Sequence, residues 1–227
     1  MISLKRIKKV LDSTLLSYEI VIINDGSRDN TLQVLRKKEK ADPRIRIISY
    51  PSNKGKGHAI KTGVLQSSGR IIIFVDGDLD ISPAVINDYV GELKTCDLVI
   101  ASKRHPLSKV KPPISRKFLS RMFNLLARAA VNIKIKDTQA GLKAGNGDIL
   151  RMIFKVILVK RYAFDVELLT IATDLGLNIK EMPIQINLGN KFKVCEIVRM
   201  FIDVAAISYR YRIKRWYQKQ LESQIAS

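Results

Sequence analysis

The sequence predicts an α/β protein in which a mostly parallel sheet is flanked by helices and followed by C-terminal amphipathic helices. Two observations carry that expectation. Short β-branched runs alternate with helical patterns through the first two-thirds of the chain, and several of those runs end in loops rich in Asp, Asn or Gly. At 227 residues the chain buries one good core. A single domain over residues 1–190 is therefore expected, with 191–227 as a basic amphipathic segment.

The chain opens on a basic amphipathic pattern from Met1 to Leu16, without the apolar stretch of a signal peptide. Glu19 to Ile23 reads as a buried strand, the turn Asn24-Asp25-Gly26-Ser27 follows, and Thr31 to Lys40 is a short helix. Arg44 to Ser49 is the next strand, and the loop Asn53-Lys54-Gly55-Lys56-Gly57 leads into a helix that runs through Gln66. Arg70 to Val75 is the most hydrophobic strand and runs straight into Asp76-Gly77-Asp78-Leu79-Asp80. Ser82-Pro83 then supplies a cap and a first-turn proline for a helix, and Asp97 to Ala101 is another strand. Pro106, Pro112 and Pro113 mark an irregular basic loop. Ile114 to Val131 is helical, with Lys117, Arg121, Asn124 and Arg128 on one face and Phe118, Met122, Leu125 and Leu126 largely on others. Tyr162 to Leu175 is a helix, Ile179 to Ile186 is an edge strand because of Pro183, and Val194 to Lys219 is one long or two short amphipathic helices.

Charge narrows the partner. Forty Lys and Arg against 21 Asp and Glu leave +19, a field that favours nucleic acid, an anionic membrane surface or a phosphorylated substrate. No acidic residue occurs from Leu98 to Lys136, and a second basic cluster, Arg210, Arg212, Lys214, Arg215 and Lys219, is threaded with Tyr209, Tyr211, Trp216 and Tyr217. That mixture suits the headgroup depth of a bilayer, and it also suits a solvated C-terminus. No helix-turn-helix, zinc-finger or RNA-stacking motif accompanies the charge, which argues against nucleic acid. Cys96 and Cys195 lie in apolar surroundings without metal-ligand spacing and read as free thiols in a reducing compartment. No apolar run approaches the ~20 residues of a spanning helix, so association with a membrane would be peripheral.

Three loops bear chemistry. Asp76, Asp78 and Asp80 follow a strand at its C-terminal end, where parallel α/β sheets place ligands. If that segment is extended, alternate side chains point the same way and the three carboxylates converge, a conflict that Mg2+ or Mn2+ would relieve. The same spacing also fits a solvated acidic turn. Asn24-Asp25-Gly26-Ser27 places a carboxylate where it can accept hydrogen bonds from a base or ribose, and it is equally ordinary turn chemistry. The basic glycine loop 53–57 opens a helix and suits an anion, although it lacks the spacing of a P-loop or a dinucleotide fingerprint. His58 beside it reads as a structural or surface residue.

Taken in order, the segments IVIINDGSRDNT, NKGKGHAIKTGVLQSSGRIIIFVDGDLD, DLVIASKR, DTQAGLKA and YAFDVELLTIATDLGLNIKEMPI resemble family-two glycosyltransferases with the Rossmann-like glycosyltransferase A fold. More narrowly they are similar to polyprenyl- and dolichyl-phosphate hexose synthases, over roughly residues 18 to 188. The resemblance implies inverting, metal-dependent transfer of a hexose from a nucleotide sugar, of UDP-glucose or GDP-mannose type, to dolichyl or polyprenyl phosphate on the cytoplasmic face of a membrane. A polysaccharide or protein acceptor would use the same donor site. DTQAG and AFDVELL look more like the glucose-type than the mannose-type synthases.

By the same resemblance, Asn24, Asp25, Gly26, Ser27, Lys54, Gly55, Gly57 and Asp76 would hold the nucleotide sugar. Asp76, Asp78 and Asp80 would hold the Mg2+ or Mn2+, with Asp78, Asp80 and Arg104 nearest the reaction, although many mannose-type relatives have Gln at the place of Asp80. Arg104, Ser115, Arg116 and Arg121 would gather the acceptor phosphate, while Asp137, Gln139, Asp165 and Glu167 would face the sugar and acceptor. Relatives usually begin with an additional strand ending in a Pro-x-Tyr-Asn-Glu segment. The resemblance thus implies that the first strand of the usual fold is missing here, leaving an exposed sheet edge.

Overall fold

The computed structural model describes residues 2–14, 16–110, 114–131, 133, 135–137, 141–186 and 194–225, with the side chains of 114–121, 194–197 and 225 also outside the description. Helix α1 (Ile2–Asp12) precedes a β1 (Ile20–Asp25), α2 (Thr31–Ala41), β2 (Ile45–Tyr50) unit, and α3 (Lys56–Gln66) crosses to β3 (Ile71–Val75). A 3₁₀ turn (Pro83–Val85), capped by the Ser82 side chain, leads into α4 (Ile86–Glu92), β4 (Leu98–Ser102) and the short β5 (Lys109–Val110). Helix α5 (Ile114–Val131) is followed by β6 (Leu142–Asn146), α6 (Gly147–Val156), α7 (Phe164–Asp174), β7 (Ile179–Pro183) and β8 (Gln185–Ile186). Helix α8 (Val194–Ser208), a π-helical turn (Tyr209–Ile213) and α9 (Trp216–Ile225) complete the order.

The strands form separate ladders. β1 and β2 pair in parallel, β3-β6-β4-β7 make a four-stranded sheet, and β5 pairs with β8. The main sheet is mixed, because β6 runs antiparallel to both β3 and β4 while β4 and β7 are parallel. Among the described residues no strand joins β1 to β3. Side chains stitch the interruption instead: the Glu19 carboxylate accepts the Ser68 hydroxyl at 2.8 Å, and Arg46 donates to the Gln66 carbonyl.

β6 and α6 were not foreseen from the sequence. β6 (LKAGN) has no β-branched residue, and it is ordered by being sandwiched between β3 and β4. α6 is capped by the Asn146 side chain, which accepts from the Asp148 and Ile149 amides. Helix α5 presents a different face from the expected one. Phe123, Asn124, Ala127 and Val131 are buried, whereas Met122, Leu125 and Leu126 are exposed. The main core runs under α3, α6 and α7 and takes in Met200, Val204, Ile207, Tyr217 and Leu221 from the C-terminal helices.

Helix α1 is tied down by charge. Lys8 and Arg44 both donate to Asp42, Arg44 also reaches Asp12 at 2.9 Å, and Leu4 packs on Ile45 and Ile47. The Arg44 and then the Lys8 hydrogen bonds hold the Asp42 carboxyl well below the usual carboxylate range. A depressed carboxylate contributes stability that is complete above the unfolded-chain value of about 3.9 and falls away as pH drops below it. Asp42→Asn should therefore lower the neutral-pH melting temperature while making the acid limb shallower, which pH-dependent calorimetry checks.

Candidate active site

The site is built at the C-terminal ends of β1 and β3. At the first, Asp25 accepts from the backbone amides of Lys54 at 2.7 Å and Gly55 at 3.0 Å, fixing the glycine loop as a concave run of backbone. Asn24 is buried behind it, donating to Ser49 at 3.0 Å and accepting from the Ser27 amide at 3.4 Å. Gly26 has φ +72°, and a Cβ there would lie 2.5 Å from the Asn53 nitrogen, so the two loops meet backbone to backbone. The Lys54 ammonium stands 4.9 Å over the Tyr50 ring. His58 donates its amide to the Lys160 carbonyl and stacks edge-on against Tyr50.

At the second, residues 76–80 are not extended. The Leu79 amide bonds the Asp76 carbonyl at 3.1 Å and Leu79 takes φ 54°, so its side chain turns inward while Asp78 and Asp80 are exposed. This corrects the expected alternation, and among the described residues no three carboxylate, His or Cys groups converge as a metal cluster. The donor set still fits a hard divalent ion of the kind that takes one or two carboxylates and completes its shell with phosphate oxygens and water. Gly141, just before β6, supports that fit, since a Cβ there would stand 2.3 Å from Asp76 Oδ2.

The two loops are joined by a lysine that the sequence presents only as one of the basic residues of the glycine loop. Lys56, between Gly55 and Gly57, reaches across so that its Nζ lies 2.7 Å and 2.8 Å from the two Asp76 oxygens. Beneath them Lys143, 1% exposed, pairs with the buried Asp165 at 2.7 Å and lies over the Phe74 ring. Burial pushes the Asp165 carboxyl up against the pull of Lys143 and Lys56. Burial pushes Lys56 down, but Asp165 and Asp76 more than offset it and hold the ammonium above its ordinary value. Asp76, Lys56, Lys143 and Asp165 thus form one alternating charge cluster drawn from four elements of the chain. Only a tertiary partner marks a buried lysine, so no sequence signal singled out Lys143.

The expected acceptor side is partly described. Asp137, 2% exposed, accepts the Lys103 amide at 2.7 Å and fixes the loop after β4, in which the Arg104 amide bonds Ser102. Glu167 is fully buried and faces the loop before α7 and the C-terminal helices rather than the acidic turn. The side chains of Ser115, Arg116 and Arg121, and all of Gln139 and the side chain of Cys195, lie outside the described residues. Cys96 is a half-buried free thiol.

This arrangement, an anion loop and an acidic turn over a mixed sheet, defines a fold of the glycosyltransferase A type. Glucosyl-3-phosphoglycerate synthase from Mycobacterium tuberculosis, crystallised with Mg2+ and UDP, superposes with a TM-score of 0.66 over 91% of this chain and 72% of its own, at 20% identity. The chain belongs to glycosyl transferase family 2, whose model matches residues 4–154. Similar relatives include a dolichyl-phosphate beta-glucosyltransferase of Trichomonas vaginalis, 32% identical over 95% of this chain and 70% of the relative. The dolichyl-phosphate beta-glucosyltransferase of Dictyostelium discoideum is 31% identical over 88% of this chain and 65% of its own.

Proposed function

We propose that this enzyme transfers glucose, with inversion, from UDP-glucose to dolichyl or polyprenyl phosphate. The observation that carries the reading is the Lys56–Asp76 contact, which sets the glycine loop's ammonium beside a carboxylate turn, a pairing suited to a nucleoside diphosphate and its divalent ion. The names of the relatives support glucose and a lipid phosphate over GDP-mannose and other acceptors. Mg2+ or Mn2+ held by Asp76 with one carboxylate of the exposed pair Asp78 and Asp80 would supply Lewis-acid stabilisation of the departing diphosphate. Lys54 and Lys56 add positive charge on the donor side, and Lys103 and Arg104 offer charge-assisted bonds to the acceptor phosphate. A phosphate monoester has its second pKa near about 6 and is mostly dianionic at neutral pH. It can therefore attack the anomeric carbon without a protein base. Calorimetry tests the donor half: UDP should bind, more tightly with Mn2+ than without it, and GDP weakly. GDP binding more tightly than UDP would overturn the glucose reading.

The same reading has the enzyme lie peripherally on the cytoplasmic face of a membrane, with residues 1–190 catalytic and the exposed face of the C-terminal helices toward lipid, their other face being part of the core. No helix among the described residues is long and apolar enough to cross a bilayer. Support comes from an exposed stripe on α8 and the π-turn, Val198, Ile202, Ala205, Tyr209 and Ile213, spaced at three and four residues. Exposed Met122, Leu125 and Leu126 lie on α5, against which α8 packs. Exposed Arg199, Arg212, Lys214 and Arg215 supply attraction to anionic lipid of about 1 kcal/mol each. Ile202→Glu with Ile213→Glu should weaken binding to phosphatidylserine vesicles by about 100-fold or more, from the apolar burial lost at two sites, without lowering the melting temperature. Unchanged sedimentation with vesicles at physiological salt would place the basic surface in another service.

A further inference from the structure

Among the described residues, the most enclosed carboxylate is not at the reaction site. Glu167, in the first turn of α7, is 0% exposed. Its Oε2 accepts the amides of Leu158 at 3.1 Å and Val159 at 2.7 Å. Its Oε1 accepts the Tyr217 hydroxyl from α9 and the Arg210 guanidinium, 3.2 Å away, from the π-turn, and Arg210 Nε donates to the Tyr217 oxygen at 2.9 Å. Both oxygens are thus occupied by groups from opposite sides, one a loop and the other the C-terminal helices.

That loop is the floor of the glycine loop. The Lys160 carbonyl accepts the His58 amide at 3.0 Å, and Lys61 Nζ donates to the Ile157 carbonyl at 2.7 Å. A Cβ on Gly55 would lie 2.5 Å from the Lys160 carbonyl, and one on Gly57 2.6 Å from that of Val159. The two glycines therefore rest on the backbone that Glu167 holds, and Lys56 between them makes the contact to Asp76. The contacts run unbroken from Tyr217 and Arg210 through Glu167 to residues 158–160, and on to the glycine loop.

We propose that the Glu167–Tyr217–Arg210 clasp is a positioning device by which the C-terminal helices set the conformation of the donor loop. Glu167 then acts through the floor of the loop rather than by touching substrate. The inference rests on the reading of residues 53–57 as the nucleotide-binding loop. Tyr217→Phe removes one hydroxyl and keeps the ring packed. Losing a hydrogen bond to a buried carboxylate should weaken UDP binding about tenfold, raise KM for the nucleotide sugar by a similar factor and leave kcat nearly unchanged. Leu221→Val, buried in the same helix but outside the clasp, is the control for simple destabilisation. Hydrogen exchange of residues 55–61 needs no ligand and should quicken in Tyr217→Phe but not in Leu221→Val. If wild type binds neither UDP nor GDP, the nucleotide reading fails while the exchange result still decides whether the clasp holds the loop. Unaltered exchange and nucleotide affinity in Tyr217→Phe, or equal changes in both variants, would overturn the proposal.

Discussion

Asp76→Asn should lower kcat/KM at least about 1,000-fold, or about 4 kcal/mol of transition-state stabilisation, while the protein remains folded. The change keeps the shape of the side chain and removes its charge at the point where the glycine loop, the acidic turn and the Gly141 cradle meet. Its structural cost is small. The Lys56–Asp76 pair is partly solvated, with 25% and 37% of the two side chains exposed, and such pairs contribute about 1 kcal/mol or less. Asp78→Ala, at an exposed position, should likewise lose turnover with its melting temperature level. Steady-state kinetics beside calorimetry separates the two effects. A folded Asp76→Asn enzyme with near-normal, metal-stimulated turnover would remove the residue from the reaction.

Lys143→Met should destabilise the fold by about 3–5 kcal/mol, among the largest single-residue effects in the molecule, because it leaves the Asp165 carboxylate buried without its 2.7 Å partner. Nearby Lys56 softens this only in part, since it is already shared with Asp76. Adding Asp165→Leu to Lys143→Met removes the stranded charge and should restore much of the loss, as removal of a whole buried pair generally does. Urea unfolding of the two single variants and the double variant gives the coupling directly. Additive losses would show that the two charges stabilise the fold independently.

The strands that positioned the site were legible in sequence because they are β-branched runs ending in turn residues. Ile20–Asp25, Ile45–Tyr50, Ile71–Val75 and Leu98–Ser102 all follow that pattern. β6 was not legible. Its residues favour strand weakly, and its order comes from two neighbours distant in sequence. Helix α5 shows a second limit: it carries two apolar stripes, one through Phe123, Ala127 and Val131 and one through Met122, Leu125 and Leu126. Periodicity identifies the helix, but only the packing partner decides which stripe enters the core. In the site, the glycine loop and acidic turn were read from residue type and position. Their connection through Lys56 was not, since a lysine in a basic loop is indistinguishable from its neighbours until the fold gives it a carboxylate. The convergence of Asp76, Asp78 and Asp80 assumed extended backbone, and the left-handed Leu79 breaks that assumption.

The most direct test of the account is a transfer assay with radiolabelled UDP-glucose and GDP-mannose side by side, with dolichyl phosphate in vesicles and Mg2+ or Mn2+ supplied or chelated. Label from UDP-glucose should enter the organic phase only when both lipid phosphate and divalent ion are present, and Asp76→Asn should abolish it. Label transferred instead to an aqueous polymer or protein, or from GDP-mannose in preference, would contradict it.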